Sequence, residues 1–212
     1  AVETLTALYG QAEFERRFRF TMDERQIPFD DDSFDVIYAN QVFEHVRFLD
    51  QMMAECARVL RPGGVLITLF PFVTYPLEGH VKIPFAHWLP PGAFRVQYMR
   101  PFFWLRLRPL WGDRTPLETA QQWDIYLRTR TFYRLNNEVT SLAEYYFNDW
   151  SLEAGGYVRA RLDMWKARTD SRWRQLLSKL IAPLEGRFLS HLVTHYWCSV
   201  LVIRGPKPQP ED

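Results

Sequence analysis

Five histidines occur in the 212 residues, and three of them stand beside groups that could do chemistry. Glu78-Gly79-His80 is followed by Pro84-Phe85-Ala86-His87-Trp88, with Tyr75 just upstream. An imidazole titrates near neutral pH and suits a general base that takes a proton from a hydroxyl. His80 and His87 are therefore the candidate catalytic residues, His80 the stronger; the alternative is two surface-loop histidines. Further upstream, Asp23-Glu24, Asn40-Gln41 and Glu44-His45 supply carboxylates, amides and a third imidazole.

The elements that must position these groups are legible around them. Phe18–Met22 alternates as a short strand that ends at Asp23. Phe34–Ala39 (FDVIYA) is β-branched and aromatic, a buried strand that ends at Asn40-Gln41. Over Phe48–Leu60 the residues Leu49, Met52, Met53, Cys56, Val59 and Leu60 recur at spacings of three and four, one face of an amphipathic helix. Pro62-Gly63-Gly64 is expected to end it with a left-handed glycine cap. Val65–Phe70 follows as a continuous apolar strand. Strand, helix, strand is a βαβ unit, so the fold class is α/β with a mainly parallel sheet.

Residues 73–137 are rich in Pro and aromatics and are expected to form an insertion or lid with short helices, since so long a structureless loop is improbable. Beyond it, Thr140–Ala154 is expected to be helical, with Ser141 as N-cap and Glu144 as its capping partner. A strand over Tyr157–Leu162, a helix over Ser171–Ile181, a strand over His195–Ile203 and a frayed tail from Gly205 complete the reading. Thr4–Arg16 reads as a short helix. Arg95–Arg108 interleaves arginines with Phe, Trp, Leu and Tyr. The favoured reading is a helix packed on the core with arginines snorkelling to water; contact with an amphipathic acceptor or a membrane surface is the other.

The run from Phe20 to Pro71, with FTMDERQIPFDDDSFDVIYANQVFEHV and then RVLRPGGVLITLFP, resembles the second half of the cofactor domain of class I S-adenosylmethionine-dependent methyltransferases, small-molecule branch. The resemblance is detailed over 18–72 and topological over 138–204. It implies a Rossmann-like sheet: residues 1–72 a partial cofactor-binding core, 73–137 a lid over the acceptor site, 138–204 the rest of the same domain with a last strand folded antiparallel into the sheet edge. It implies S-adenosylmethionine as cofactor, with Asp23 and Glu24 beside the adenine, Asn40 and Gln41 where the methionine end meets the acceptor, and His45 buttressing the pocket or touching cofactor. In an open parallel sheet such a ligand lies outside the carboxyl ends of the strands. Some quinone-pathway members hold a divalent metal with an E-x-x-E-H pattern. Here Gln41 replaces the first carboxylate, and an amide is a poor ligand for a hard cation, so no metal is expected.

The family's acidic-G-x-G-x-G turn has no counterpart: none of the ten glycines forms G-x-G. The expectation is that roughly 30 or more residues, about one βαβ unit, stand upstream of this chain in a longer enzyme. The resemblance implies methyl transfer to an oxygen, nitrogen or carbon of a small molecule. The alternatives are a non-catalytic, partner-binding relative and another nucleotide-binding α/β enzyme; the RVLRPGG turn speaks against the latter.

Composition bounds the rest. A net charge of +1 does not advertise nucleic acid as a partner. Two cysteines without a CxxC pair make no disulfide framework and favour a reducing, cytoplasmic setting. The longest uncharged runs fall short of a membrane span, so no transmembrane segment is expected.

Overall fold

The computed structural model describes residues 7, 10, 23, 25–153 and 198–208. In chain order these form β1 (Phe34–Asn40), a 3-10 turn (Phe43–His45), α1 (Leu49–Val59), β2 (Leu60–Pro71), a 3-10 turn (Ala86–Trp88), α2 (Ala93–Trp104), α3 (Pro116–Arg130), α4 (Asn136–Tyr146), β3 (Phe147–Leu152) and β4 (Cys198–Pro206). The four strands make one mixed sheet in the order β1-β2-β4-β3. β1 and β2 are parallel, with Ile37 opposite Leu66. β4 runs antiparallel to both of its neighbours.

The βαβ unit forms as its residue pattern dictates. α1 buries Leu49, Met53, Cys56 and Ala57, spaced at three and four, against β2 and α4. Phe43, Phe70 and Phe72 continue this core, their rings 5.6 and 5.5 Å apart in turn. Burial of the Cys56 side chain pushes its thiol up to about 12.

Several expectations are corrected. α1 stops at Val59 and Leu60 is already extended, so Pro62-Gly63-Gly64 does not cap the helix. It lies inside β2, where Leu60 pairs with Phe34 and Val65 with Val36, so residues 61–64 bulge out of the ladder. Gly63 takes φ +80°, and a Cβ at Gly64 would stand 2.9 Å from the Arg61 carbonyl, so the bulge demands both glycines. Arg61 staples it by donating to both Asp35 carboxylate oxygens.

The second correction is the expected helix over 140–154. It starts earlier, at Asn136, and ends at Tyr146; Phe147–Leu152 is a strand instead. Glu138, not Glu144, reaches back to the helix start, its Oε1 accepting from Leu135 N–H. Third, the expected tail from Gly205 begins inside β4: Pro206 pairs with Phe147, and Lys207 N–H donates to the Tyr146 carbonyl. The last strand folds antiparallel into the sheet as expected, between β2 and β3. The expectations for Thr4–Arg16, Phe18–Met22, Tyr157–Leu162 and Ser171–Ile181 lie outside the described residues.

The segment after β2 has its own core, in which Val81, Ile83, Ala86, Val96, Met99, Phe103, Ala120 and Leu127 pack together between α2 and α3. α3 starts at a capping box, Thr115 with Glu118, and Pro116 occupies the first turn. In the Arg95–Arg108 stretch one face packs inward as read, but Arg95 does not snorkel. It is buried, donates to the Leu89 carbonyl and pairs with Asp124. Among the described residues β1 has no partner on its other side, and Val36 and Tyr38 on it are 55% and 65% exposed. No helix of the described residues is long and apolar enough to cross a membrane.

Candidate active site

The carboxyl end of β1 leads directly into the site. After Asn40 the backbone turns at Gln41, which takes φ +55° and donates its N–H to the Leu69 carbonyl of β2 at 2.7 Å. The chain then enters the 3-10 turn Phe43–His45. Arg134 locks this turn from outside: its guanidinium donates to the carbonyls of Phe43, Val46 and Arg47 as well as Phe132. The Phe132 N–H donates to the Glu44 carbonyl at 2.6 Å, so the strand exit and the end of the lid are bonded to one another.

His80 arrives from the loop between β2 and α2. That loop is pinched by the Leu77–Pro84 bridge and organised by Glu78, which is 0% exposed. One carboxylate oxygen accepts from His80 Nδ1 at 2.8 Å and from the Tyr133 hydroxyl at 2.5 Å. The other accepts from the backbone N–H groups of His80 and Val81. Burial by itself pushes the Glu78 carboxyl up, but these donors together hold it below the ordinary carboxylate range. Burial and the adjacent Glu78 charge push the Tyr133 phenol well up, so it stays a hydroxyl and a donor.

The result is a facing pair: His80 Nε2 lies 3.2 Å from His45 Nε2. His45 Nδ1 points the other way, 2.6 Å from the Arg130 carbonyl. Glu44 stands beside them, 1% exposed, with neither carboxylate oxygen in a hydrogen bond. Burial pushes its carboxyl up, against the pull of His45 and His80. One carboxylate oxygen of Glu44 and one ring nitrogen from each histidine lie within 4.8 Å of one another. A cleft of about 500 Å³ opens beside His45, lined also by Tyr126, Thr129 and Phe132.

His87 goes elsewhere. Its Nε2 lies 2.9 Å from the Val73 carbonyl and its Nδ1 is buried without a partner; burial holds its pKa below the usual imidazole value. It lines a smaller cavity of about 240 Å³ with Arg95, Thr131 and Tyr133. His80 and His87 thus do not face each other across one pocket: His80 faces His45. Asn40 and Gln41 are exposed at the strand end, Gln41 Nε2 3.5 Å from the Leu69 carbonyl. Asp23 is exposed and its Oδ1 accepts from Arg25 N–H. Glu24 lies outside the described residues. Sequence reasoning missed Tyr133, which is 53 residues from His80 and carries no local motif.

The polar groups gather beyond the carboxyl end of β1, where ligands of open α/β sheets bind. Residues 3–68 match the family model described as methyltransferase domain. Malonyl-[acyl-carrier protein] O-methyltransferase of Methylococcus capsulatus is 46% identical over 44 residues, 21% of this chain and 16% of that protein. An uncharacterized methyltransferase of Mycobacterium marinum is 35% identical over 74 residues, 35% of this chain and 29% of that protein. Among solved structures, the [4+2]-cyclase SpnF shares 16% identity at a TM-score of 0.41, over 98% of this chain and 64% of that one. The matches span less than a third of the length of these curated relatives. They show a likeness to methyltransferases that is confined to less than half of this chain.

Proposed function

We propose that this chain forms the acceptor-facing part of a methyltransferase that uses S-adenosylmethionine to methylate a small molecule. One observation carries the reading: the exit of β1 and the loop after β2 meet, putting His80 against His45, which lines an open cleft. The cofactor, when bound, supplies a methyl group on an already activated sulfonium. Asn40 and Gln41 fit its methionine end, because they are exposed polar groups at the carboxyl end of β1. Asp23, an exposed carboxylate upstream of β1, fits the adenine amine.

The chain's own residues then have two tasks. The first is to hold the acceptor so that its nucleophilic atom is aligned, which is where most of the rate arises in such a transfer. The cleft wall of Tyr126 and Phe132 serves that. The second is to accept a proton. Glu78 takes the His80 Nδ1 proton as a hydrogen bond, which leaves Nε2, facing His45 at the cleft wall, as the acceptor atom.

The test is transfer of labelled methyl from S-adenosylmethionine by the full-length native protein to a panel of small hydroxyl, amine and carboxyl acceptors. His80→Gln is expected to lower kcat by about 10²- to 10⁴-fold, the usual contribution of a general base, with little change in cofactor affinity. Absence of both cofactor binding and transfer overturns the reading.

A further inference from the structure

We propose that Glu44, His45 and His80 form a binding site for a divalent transition-metal ion of the zinc type. Hydrogen bonding fixes the protonation of both rings. A backbone carbonyl can only accept, so His45 Nδ1, 2.6 Å from the Arg130 oxygen, carries that ring's proton. His80 Nδ1 faces a Glu78 carboxylate oxygen that also accepts the Tyr133 hydroxyl, so it too carries the proton. Each Nε2 therefore presents a lone pair, and the two lone pairs face each other at 3.2 Å.

Two lone pairs in that position need a positive centre between them. A shared proton would satisfy the histidines alone and leave Glu44 as it is: 1% exposed, with both oxygens unbonded. A buried carboxyl without any partner is costly. A metal ion satisfies all three groups at once. The spacing agrees: Zn–N bonds of about 2.0–2.1 Å at the tetrahedral angle place two ligand atoms about 3.3–3.4 Å apart. A carboxylate oxygen of Glu44 stands within 4.8 Å of a ring nitrogen of each histidine, near enough to be the third ligand.

The surroundings are those of a ligand shell as well. A metal-bound histidine usually donates its remote N–H to a carboxylate or a backbone carbonyl, which orients the ring and raises its basicity. Glu78 does this for His80, and the Arg130 carbonyl for His45. Two imidazoles and one carboxylate suit zinc, cobalt, nickel or iron better than magnesium or calcium, which favour oxygen ligands. This differs from the E-x-x-E-H pattern weighed above: Gln41 takes no part, and the third ligand comes from the loop after β2. Three protein ligands leave a position open beside the cleft that His45 lines. Resting on the methyl-transfer reading, that position narrows the acceptor to a molecule with a hydroxyl or carboxylate oxygen to offer the ion. With the ion bound, His80 Nε2 is a ligand and not the base: the ion would acidify a bound hydroxyl, whose proton leaves to solvent through the cleft.

The experiment is a cobalt(II) titration of chelator-treated full-length protein, followed by the visible band of four- or five-coordinate cobalt, then displacement by zinc. A single equivalent should bind, with an affinity lowered at least tenfold by Glu44→Gln and by His80→Ala, and about 10- to 100-fold by Glu78→Gln. Glu44→Gln is isosteric, so its effect is readable if the histidine variant fails to fold. His87→Ala should leave the affinity unchanged. No cobalt band, or a band insensitive to both Glu44→Gln and His80→Ala, overturns the site. Metal binding without methyl transfer upholds the site and removes the methyl-transfer reading; transfer at full rate with no cobalt band does the reverse.

Discussion

Glu78 is the residue on which the site depends most. It is fully buried, and four donors converge on its two oxygens. Replacing a buried charged acceptor strands those donors, and the amide of glutamine turns its own N–H groups toward them. Glu78→Gln is therefore expected to lower the unfolding free energy by about 3 kcal/mol, measured by urea denaturation. Tyr133→Phe, run beside it, should cost about 1 kcal/mol, since one of the four donors is lost and the carboxylate keeps the rest. If Glu78→Gln unfolds at the wild-type urea concentration, Glu78 is not the anchor of this loop. At this scale the sequence was readable only where partners are neighbours. Glu78 and His80 are two residues apart and stood out together in the sequence, though not as a bonded pair. Tyr133 and the Arg130 carbonyl reach the same cluster from 50 or more residues away, and nothing local marks them.

The elements were legible where hydrophobic period and burial agree, as in α1 and β2. They were misread where long-range pairing decides. Phe147–Leu152 reads FNDWSL, a continuation of α4 by pattern; it is a strand because β4, 46 or more residues on, supplies its ladder. Likewise Pro62-Gly63-Gly64 has the composition of a helix cap, but the parallel register to β1 draws it into β2 as a bulge. The start of α1's partner loop is fixed by charge. Glu55 on α1 accepts from Ile27 N–H at 2.9 Å and from Arg58, which in turn holds Asp31 and the carbonyls of Ile27 and Phe29. The hydrogen bond from Arg58 holds the Glu55 carboxyl below its ordinary value of 4.5. The sign follows: between the folded and unfolded values the unfolded chain binds more protons, so stability rises with pH there. Glu55's contribution is complete above 4.5 and drains away as the pH falls through the depressed folded value. Glu55→Gln should be less stable than the parent at neutral pH, and the gap should close on acidification. A gap independent of pH would mean that packing, not the ion pair, ties this loop to α1.

Across the whole molecule, two cores are stacked on one site. The sheet, α1 and α4 share the core that contains Phe43, Leu66 and Leu201; α2 and α3 enclose a separate one around Met99 and Phe103. What joins them near the site is polar: Arg130 to His45, Phe132 to Glu44, and His80 to His45. The division into sheet and insertion was visible in composition, because Pro and aromatics concentrate after β2; the second core was not, because its residues are spread over 81–127. Apolar burial is the dominant source of cooperativity, so elements with separate cores and a polar seam should lose structure separately. Phe103 is 0% exposed, and Phe103→Ala should cost about 3–5 kcal/mol, all of it from the α2–α3 core. Pulse-labelled hydrogen exchange, read by peptide along a urea titration, distinguishes the two outcomes. The peptides of 93–130 should open at lower urea in the variant, while those of 60–71 keep the midpoint they have in the parent. A common shift of both sets would mean that the seam couples the cores into one unit, and that the histidine cluster between them is held as firmly as the sheet itself.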